Sequence, residues 1–350
     1  MTKKVHSKSV FRRIGVWQTA FLGDAVLTLP LLHSIRQAYP DAEIIYFVRK
    51  GLKSLFQFDP GFEVQECDKY GRDRGLQGLG RFIKRLQDQA FDLWISPHTS
   101  FRSALTARYC GAATRIGYNL PWYNRLAYSH TVSRFFQELN EIERVLQLLK
   151  PLNLEPATAW PRLALSREQE SLADDFWSKN ISRPVLGVHP GSTWATKKWP
   201  EEYFARVIDM VQESLDVQVL LFAGPGEEAS TREILSRIRH QDRVINLAGK
   251  LDLTGLAAFL SRLDCYLCND SGPMHLAWTQ NIPVVALFGP TTRELGFFPR
   301  GEHSRVLESP LDCRPCGLHG SQSCPQGHHR CMLDIDPETV FQAVRDKIYA

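Results

Sequence analysis

The sequence has no apolar stretch long enough to span a membrane or to act as a signal peptide. Its basic start, residues 1–8, is not followed by such a run. We therefore expect a cytosolic protein. Its eight cysteines should then be thiols or metal ligands rather than disulfide partners, because the cytosol keeps thiols reduced.

Two common nucleotide-binding motifs are also missing. No Gly-x-x-x-x-Gly-Lys-Ser/Thr loop occurs, which argues against a P-loop enzyme. Gly224-Pro225-Gly226 begins a Gly-x-Gly-x-x-Gly pattern, but no third glycine completes it. A dehydrogenase with two Rossmann domains is therefore disfavoured, although it remains an alternative.

Charge is distributed unevenly along the 350 residues. Residues 1–170 hold 24 Lys and Arg against 16 Asp and Glu, whereas residues 171–350 hold 18 against 22. The length suits two globular domains, and the basic half should face an anionic partner. Nucleic acid, a phosphorylated substrate and an anionic membrane surface all qualify, with a solvated basic surface as the alternative.

Short apolar runs alternate with amphipathic stretches in both halves of the chain. In the first half, strands are predicted at 13–17, 43–48, 62–67, 91–96 and 115–118, with helices at 25–38, 51–58, 75–89 and 138–149. In the second, strands are predicted at 185–189, 217–223, 264–268 and 283–289, with helices at 167–179, from 200, at 253–262 and at 337–348. Such alternation indicates an α/β protein with parallel sheets. We place a first domain at 1–165, a second at 166–335 and a final helix at 336–350.

Residues 269–277 form the most informative stretch of the second domain. Asn269-Asp270-Ser271-Gly272 follows a strand, and Pro273 stands just inside the next helix. The unpaired N–H groups of a helix N-terminus attract phosphate. His275 falls about one turn after Ser271, so both side chains point toward the sheet edge where ligands bind. A plain helix cap with proline is the alternative.

Another loop of the same domain, residues 190–199, follows the strand at 185–189. Its glycine, hydroxyl and lysine residues suit a diphosphate, because small residues allow close approach and lysine supplies charge. After the next strand, Glu227 and Glu228 follow a glycine turn and are candidates for binding ribose hydroxyls, with helix capping as the alternative.

The corresponding edge of the first domain carries an acid and several bases. Asp24 follows Gly23 between the first strand and helix, either as a functional carboxylate or as a helix cap. Basic residues follow the second and fourth strands, which predicts that an anionic acceptor binds through Arg49, Lys50, Lys53 and Arg102.

The C-terminal portion contains a group of cysteines. Cys313 and Cys316 are separated by two residues, and Cys324 and Cys331 follow. Four thiolates can close tetrahedrally on zinc or iron, which would make this a structural metal site. The alternative is a thiol-bearing loop held by packing.

Three motifs resemble those of glycosyltransferase family 9, the bacterial ADP-heptose:lipopolysaccharide heptosyltransferases. Residues 23–30 match the family's Gly-Asp-x-x-x-x-x-Pro, residues 197–200 its Lys-x-Trp-Pro, and residues 270–275 its Asp-Ser/Thr-Gly-x-x-His. The motifs occur in the family's order, and the likeness extends over nearly the whole chain. It implies a glycosyltransferase B fold, in which two Rossmann-like domains face a central cleft and the last helix crosses back toward the first domain.

The resemblance also implies roles for single residues. Asp24 would be the catalytic general base. Ser192, Thr193 and Lys197 would hold the diphosphate, while Glu228 and Leu251 would flank ribose and adenine, with Glu227 as a substitute for Glu228. The rest of the nucleotide-sugar site would be formed by Asp270, Ser271, Gly272 and His275.

The implied activity is inverting transfer of heptose from ADP-heptose to an anionic, lipid-linked inner-core acceptor of lipopolysaccharide. No cofactor is expected in catalysis, since the candidate donor loops contain no Asp-x-Asp motif to hold a divalent ion. The enzyme would be cytoplasmic, with peripheral contact at the inner membrane, and would not bind nucleic acid. Alternatives are another nucleotide sugar or acceptor, a nucleotide-sugar epimerase of the same architecture, and a non-enzymatic anion-binding module.

Overall fold

A computed structural model describes residues 11–349. These residues form two compact units, the first from 11–135 and 141–161 and the second from 136–140 and 162–349. The chain passes from the first unit to the second after residue 161, and the domain bounds at residues 165 and 335 stay a prediction.

The first unit is a six-stranded parallel sheet with helices between its strands. The strands are β1 Arg13–Gln18, β2 Glu43–Arg49, β3 Glu63–Cys67, β4 Leu93–Ile95, β5 Thr114–Tyr118 and β6 His130–Val132. The helices are α1 Leu22–Leu27, α2 Leu29–Ala38, α3 Lys53–Phe56, α4 Gly75–Gln87, α5 Phe101–Tyr109, α6 Asn124–Ala127 and α7 Glu141–Leu146, which runs into a 3-10 turn, Gln147–Leu152.

The strand order of the first sheet is β3-β2-β1-β4-β5-β6. The chain runs outward from β1 in one direction and then returns to β4 on its other side. The two connections therefore diverge between β1 and β4, and such a switch point leaves a crevice at the carboxyl ends of the strands. Residues that follow β1 and β4 are thus placed to meet a ligand.

Aromatic side chains fill the layer between this sheet and its helices. Trp17 and Phe47 lie 5.9 Å apart between ring centroids, and Phe47 and Trp94 lie 5.2 Å apart. Gly15 is required beside them, because a Cβ there would approach the Trp94 ring to 2.4 Å. Packing of this density fixes the ends of β1 and β4 relative to each other.

The predicted helix at 25–38 is two helices in the structure. Thr28 ends α1 and also precedes α2, in which Pro30 occupies the first turn. Proline has no N–H to donate to the preceding turn, so a continuous helix would lose a hydrogen bond there. Proline in the first turn of α2 avoids that loss.

The second unit repeats the architecture of the first. Its strands are β7 Val185–His189, β8 Gln218–Leu221, β9 Val244–Asn246, β10 Cys265–Asn269, β11 Val284–Phe288 and β12 Ser304–Glu308, in the order β12-β11-β10-β7-β8-β9. Its helices are α8 Arg167–Asn180, α9 Glu201–Ser214, α10 Glu228–Arg237, α11 Leu253–Leu260, α12 Gly272–Thr279, α13 Arg330–Leu333 and α14 Pro337–Ile348. The switch point of this sheet lies between β7 and β10.

The final helix, α14, packs within the second unit against α9, β10 and β11. It buries Val340, Phe341 and Val344 there. Upstream of α14, the Ile335 carbonyl accepts a 3.1 Å hydrogen bond from the Trp199 indole. The crossing of this helix toward the first domain stays a prediction.

Three short strands were missed by the sequence analysis, namely β6, β9 and β12. Each lies at an edge of its sheet, where at least one face is open to solvent, and none contains a fully buried residue. Although Val244 of β9 and Leu307 of β12 pack partly buried against the core, strands this short and half-buried show no clear alternation from which to predict them. Within residues 11–349, no helix combines the length and apolarity needed to cross a membrane.

Candidate active site

Asp24 lies at the switch point of the first sheet, beyond the end of β1 and in the first turn of α1. Its Oδ2 accepts a 3.2 Å hydrogen bond from the backbone N–H of Phe21, the residue that precedes α1. The capping role suggested by the sequence is therefore present. A carboxylate has further acceptor sites, so capping does not prevent Asp24 from meeting a substrate hydroxyl.

The surroundings of Asp24 change its acidity. Burial, and then the negative charge of Glu141, raise the pKa of Asp24 to about 6, against opposing effects of the Phe21 N–H and of Arg134. The side chain nevertheless keeps part of its surface open to solvent. A carboxyl group of this pKa is mostly ionised at neutral pH and accepts a proton more readily than an ordinary aspartate. Asp24 thus has the properties of a general base.

Glu141 is held between two arginines near Asp24. Arg134 Nη2 donates to both Glu141 carboxylate oxygens at 2.9 Å, and Arg144 Nη1 donates to Oε2 at 3.1 Å. Glu141 is 2% exposed and Arg144 is fully buried, so each buried charge has an opposite charge beside it. The sequence analysis did not identify this group, because no local motif links residue 141 to residue 24.

Three basic side chains gather at the same edge of the first sheet, and we call Arg49, Lys69 and Arg102 the cationic cluster. Burial, and then the charges of Arg49 and Arg102, lower the pKa of Lys69, while Asp24 acts in the opposite direction. Lys69 Nζ donates a 2.9 Å hydrogen bond to the Thr19 carbonyl, in the loop that leads to Asp24. Lys69 was missed by sequence analysis, although it follows the carboxyl end of β3.

The other two predicted acceptor residues are placed differently. Lys50 forms a 2.8 Å ion pair with Asp68 and is largely exposed. The backbone N–H of Lys53 bonds to Glu66 at 3.1 Å as α3 begins. The charge of Lys50 is thus paired with an acid that follows β3, whereas Arg49 and Arg102 lie with Lys69 in the cationic cluster.

His98 follows β4 and lies at the same edge of the first sheet, beside the switch point. Burial, and then the charges of Lys69 and Arg134, lower the pKa of His98 to about 4, so its imidazole is neutral at pH 7. Its Nδ1 lies 3.3 Å from Thr19 Oγ1 and 3.2 Å from Ser103 Oγ. The ring is therefore fixed in orientation, and it can offer Nε2 as a neutral hydrogen-bonding group.

In the second unit, Asn269 joins the two loops that follow β7 and β10. Its Nδ2 donates to the Pro190 carbonyl at 2.8 Å, and its Oδ1 accepts from the Trp199 N–H at 3.2 Å. Asn269 is fully buried. The 190–199 loop and the N-terminus of α12 are thereby fixed side by side at the second switch point, as their separate phosphate-binding predictions require.

Lys197 is buried and forms a 2.5 Å ion pair with Asp270 Oδ2. The same oxygen accepts a 2.7 Å hydrogen bond from Thr291 Oγ1. Asp270 therefore fixes the position of the Lys197 ammonium group. Lys197 and the Thr291 hydroxyl in turn stabilise the negative charge of Asp270. Thr291 is a contributor that sequence analysis missed.

Ser271 precedes α12 in an extended conformation, with φ −151° and ψ 167°. Its hydroxyl oxygen is buried and has no hydrogen-bond partner among the described residues. The N–H groups in the first turn of α12, from Gly272 onward, have no partner within the helix and lie at the same N-terminal end of α12 as this hydroxyl. A buried hydroxyl at a helix N-terminus next to Lys197 suits a phosphate oxygen. In the neighbouring loop Ser192 is buried and Thr193 is exposed.

His275 lies in α12 with its Nδ1 accepting a 3.0 Å hydrogen bond from the Trp278 indole N–H. Burial lowers the pKa of His275 to about 4, against the effect of Asp270. The imidazole is therefore neutral at pH 7 and carries its proton on Nε2. His275 can donate one hydrogen bond but supplies no positive charge.

The predicted ribose and adenine residues meet at the carboxyl ends of β8 and β9. Glu228 lies against the Gly249 turn, where a Cβ would be 3.2 Å from its Oε1, and Leu251 is two residues further along the chain. Glu227 instead lies against Gly191 in the 190–199 loop and accepts a 3.1 Å hydrogen bond from the Gly224 N–H. The two acids are thus placed apart, and Glu228 is the one beside Leu251.

The cysteine segment packs on the 190–199 loop. Thr196 exchanges hydrogen bonds with the Ser321 backbone at 2.8 to 3.0 Å, and His329 Nε2 lies 2.9 Å from the Thr196 carbonyl. Within residues 11–349, no three His, Cys, Asp or Glu side chains are arranged to hold a metal ion. Burial, and then the charges of Cys316, Cys324 and Cys313, raise the pKa of Cys331 to about 11, so the four thiols lie near one another. The structural metal site at Cys313, Cys316, Cys324 and Cys331 stays a prediction, with a thiol-bearing loop held by packing as the alternative.

The chain does contain one Asp-x-Asp stretch, Asp334-Ile335-Asp336, outside the candidate donor loops. Asp334 forms a 2.9 Å ion pair with Arg330. Asp336 caps α14 by accepting a 3.2 Å hydrogen bond from the Thr339 N–H. Both carboxylates therefore lie at helix ends, Asp334 after α13 and Asp336 before α14.

Comparison with known proteins finds similar sequences. Residues 79–323 match the sequence model of glycosyltransferase family 9 (heptosyltransferase). The lipooligosaccharide heptosyltransferase 2 of Campylobacter jejuni is 26% identical over 346 residues, which cover 96% of this chain and 97% of the relative.

Solved structures agree as well. A glycosyl transferase family 9 protein from Veillonella parvula has a TM-score of 0.85 at 24% identity, with 97% of each chain covered. The E. coli heptosyltransferase WaaC, solved with ADP-2-deoxy-2-fluoro heptose, has a TM-score of 0.71 at 19% identity, with 95% of this chain and 99% of that chain covered. These likenesses confirm the predicted glycosyltransferase B fold. With the match over residues 79–323, they show that the chain belongs to glycosyltransferase family 9 (heptosyltransferase).

Proposed function

We propose that this enzyme transfers heptose from ADP-heptose to an inner-core acceptor of lipopolysaccharide, with inversion at the anomeric carbon. The observation that carries the proposal is Asp24, a partly exposed carboxylate at the first switch point whose pKa is raised to about 6. The names of the C. jejuni and E. coli relatives support the choice of sugar.

The proton is removed by Asp24. As the acceptor hydroxyl attacks the anomeric carbon, Asp24 accepts its proton, and the new bond forms opposite the departing ADP. Arg134 and Arg144 hold Glu141 in place by hydrogen bonds, so the groups that set the field at Asp24 do not need to reorganise during the reaction.

The leaving ADP is stabilised by the second unit. Lys197, with Ser192 and Thr193, neutralises the diphosphate, and the N-terminus of α12 at Ser271 and Gly272 adds backbone donors. Asp270 and Thr291 hold the lysine in place. Glu228 and Leu251 contact the ribose and adenine, and His275 donates one neutral hydrogen bond near the diphosphate.

Catalysis in this scheme needs no metal ion, because protein groups supply the positive charge that the leaving group requires. Turnover should therefore persist in excess EDTA. Complete loss of turnover, restored by magnesium, would show that a divalent ion performs this task instead.

The acceptor is anionic and lipid-linked, which fits the cationic cluster near Asp24. We place the enzyme in the cytoplasm with peripheral contact at the inner membrane, where a lipid-linked acceptor is found, and we expect it to bind no nucleic acid. Strong, salt-dependent retention on DNA without ADP binding would favour the anion-binding alternative.

Mass spectrometry of reactions containing ADP-heptose and a panel of truncated core lipids tests the proposal. Gain of one heptose by a single acceptor, with release of ADP, supports it. Transfer from a different nucleotide sugar would correct the donor. Conversion of the nucleotide sugar without any acceptor would identify an epimerase and reject the transferase mechanism.

A further inference from the structure

Residues 93–135 of the first unit carry charge of one sign only. The stretch contains five arginines and no lysine, aspartate or glutamate. Arg102 and Arg134 belong to the candidate active site, whereas Arg108 and Arg125 are exposed on α5 and α6. The outer surface of these two helices is therefore positive without nearby acids from its own segment.

The same surface exposes large apolar side chains. Phe101 is 59% exposed, Leu120 64%, Trp122 71% and Leu126 70%. We call these four residues the apolar patch. They come together because α5 packs against α6, and the Phe101 ring meets the ring of Tyr123, next to Trp122, at 5.5 Å. Contiguous apolar surface of this kind on a soluble protein marks an interaction site.

The turn that carries most of the apolar patch, residues 120–126, is ordered by internal hydrogen bonds. Asn124 is 1% exposed, and its side chain donates a 2.9 Å hydrogen bond to the Leu120 carbonyl. Successive turns are closed by bonds from the Arg125 N–H to the Trp122 carbonyl and from the Leu126 N–H to the Tyr123 carbonyl. The exposure of Trp122 and Leu126 is therefore a property of an ordered turn, fixed by a buried asparagine.

The patch lies at the same sheet edge as Asp24. Phe101 begins α5 after β4, and Leu120 and Trp122 follow β5 directly. Strands β1, β4 and β5 are neighbours in the sheet and run parallel, so their carboxyl ends meet at one edge. Anything bound to the patch is thus close to the residues that follow β1.

We propose that the apolar patch, with Arg108 and Arg125, docks this enzyme on an anionic lipid bilayer. Trp122 and Leu126 enter the interface between headgroups and acyl chains, a position that tryptophan favours, and the arginines meet lipid phosphates. A second copy of the chain fits less well. A symmetric dimer through this patch would bring two arginine-rich surfaces together. The link to catalysis rests on the proposed lipid-linked acceptor, which would be anchored in the same bilayer.

Vesicle flotation tests the docking surface with the full-length protein. Wild type should float with vesicles of phosphatidylethanolamine and phosphatidylglycerol, and much less with vesicles of phosphatidylcholine alone. Leu126→Glu should lower the partition coefficient by about tenfold or more, because a buried apolar contact is replaced by a charge repelled by the lipid. Arg125→Gln should lower it only for the anionic vesicles.

The matched control is Leu172→Glu, which places the same substitution on α8 of the second unit, where Leu172 is 53% exposed. It should float like wild type. Circular dichroism and ADP binding verify that each variant is folded, and Leu126→Ala provides a milder second variant. On a water-soluble acceptor without acyl chains, Leu126→Glu should keep the wild-type kcat/KM.

Several results would overturn the assignment. Equal flotation of Leu126→Glu and wild type, or no flotation of wild type, would reject the docking surface. A wild-type oligomer that Leu126→Glu dissociates without changing flotation would make the patch a subunit contact instead. Flotation that depends on Leu126 in a protein without heptosyl transfer would support the surface while rejecting the proposed function.

Discussion

Replacing Asp24 by asparagine should abolish most of the activity and at the same time stabilise the first unit. Asparagine keeps the size of the side chain and an oxygen that can accept from the Phe21 N–H, but it cannot take up a proton. We expect turnover to fall by roughly 10²-fold or more with ADP affinity unchanged, because the base acts in the transition state only.

The stability gain follows from the pKa of Asp24. The interval between its ordinary value of 3.8 and about 6 corresponds to about 3 kcal/mol at 1.36 kcal/mol per pH unit, an upper value because the side chain is partly exposed. Below pH 3.8 the carboxyl group is protonated in the folded and the unfolded chain, so it does not lower the free energy of unfolding. Between pH 3.8 and 6 only the unfolded chain ionises, and the cost to the native state grows. Above pH 6 the cost is complete.

Asp24→Asn should therefore exceed wild type in unfolding free energy by up to that amount at pH 8, and by about half as much at pH 5. Amide hydrogen exchange of β1 peptides in urea reports on the first unit alone, which matters because two units need not unfold together. Asp88→Asn, the same change at an exposed position on the end of α4, is the control. An Asp24→Asn difference that does not vary with pH, or activity that survives the substitution, would refute the reasoning.

Other substitutions test the second unit and the acid limb of the pH profile. Lys197→Ala should weaken ADP binding, measured by calorimetry, because the diphosphate loses its buried counter-charge, and unaltered affinity would contradict the placement of Lys197. Gly187→Ala should destabilise the second unit by about 1–3 kcal/mol, since its Cβ would approach the buried Leu263 side chain to 2.4 Å and the Phe222 and Tyr266 rings to 3.1 Å. Gly80→Ala, which meets nothing within 4 Å, should stabilise the first unit by about 0.4–1 kcal/mol as its control. In wild type, kcat/KM should decline as pH falls through about 6 and Asp24 becomes protonated, and a constant kcat/KM across this range would exclude Asp24 as the titrating base.

The placement of Lys50 and Lys53 shows the limit of reading a charge pattern along the chain. Arg49 ends β2, Lys50 follows it directly and Lys53 begins α3, yet Lys50 pairs with Asp68 and the Lys53 backbone bonds to Glu66. These acids belong to β3 and its following loop, and their approach depends on the pairing of β2 with β3. Counting the charges within one segment of the sequence leaves out the acidic residues that a neighbouring strand brings close in the folded sheet.

The sequence by itself determined the two α/β units, the loops that follow their central strands, and the motifs at Asp24, Lys197 and Asp270. These follow from periodicity and from residues a few positions apart, which the chain order preserves. Only the tertiary structure decided the pKa of Asp24, the pairing of Lys197 with Asp270, and the burial of Glu141 between its arginines. Those properties depend on desolvation and on charges brought together from distant parts of the chain, and neither exists before the chain has folded.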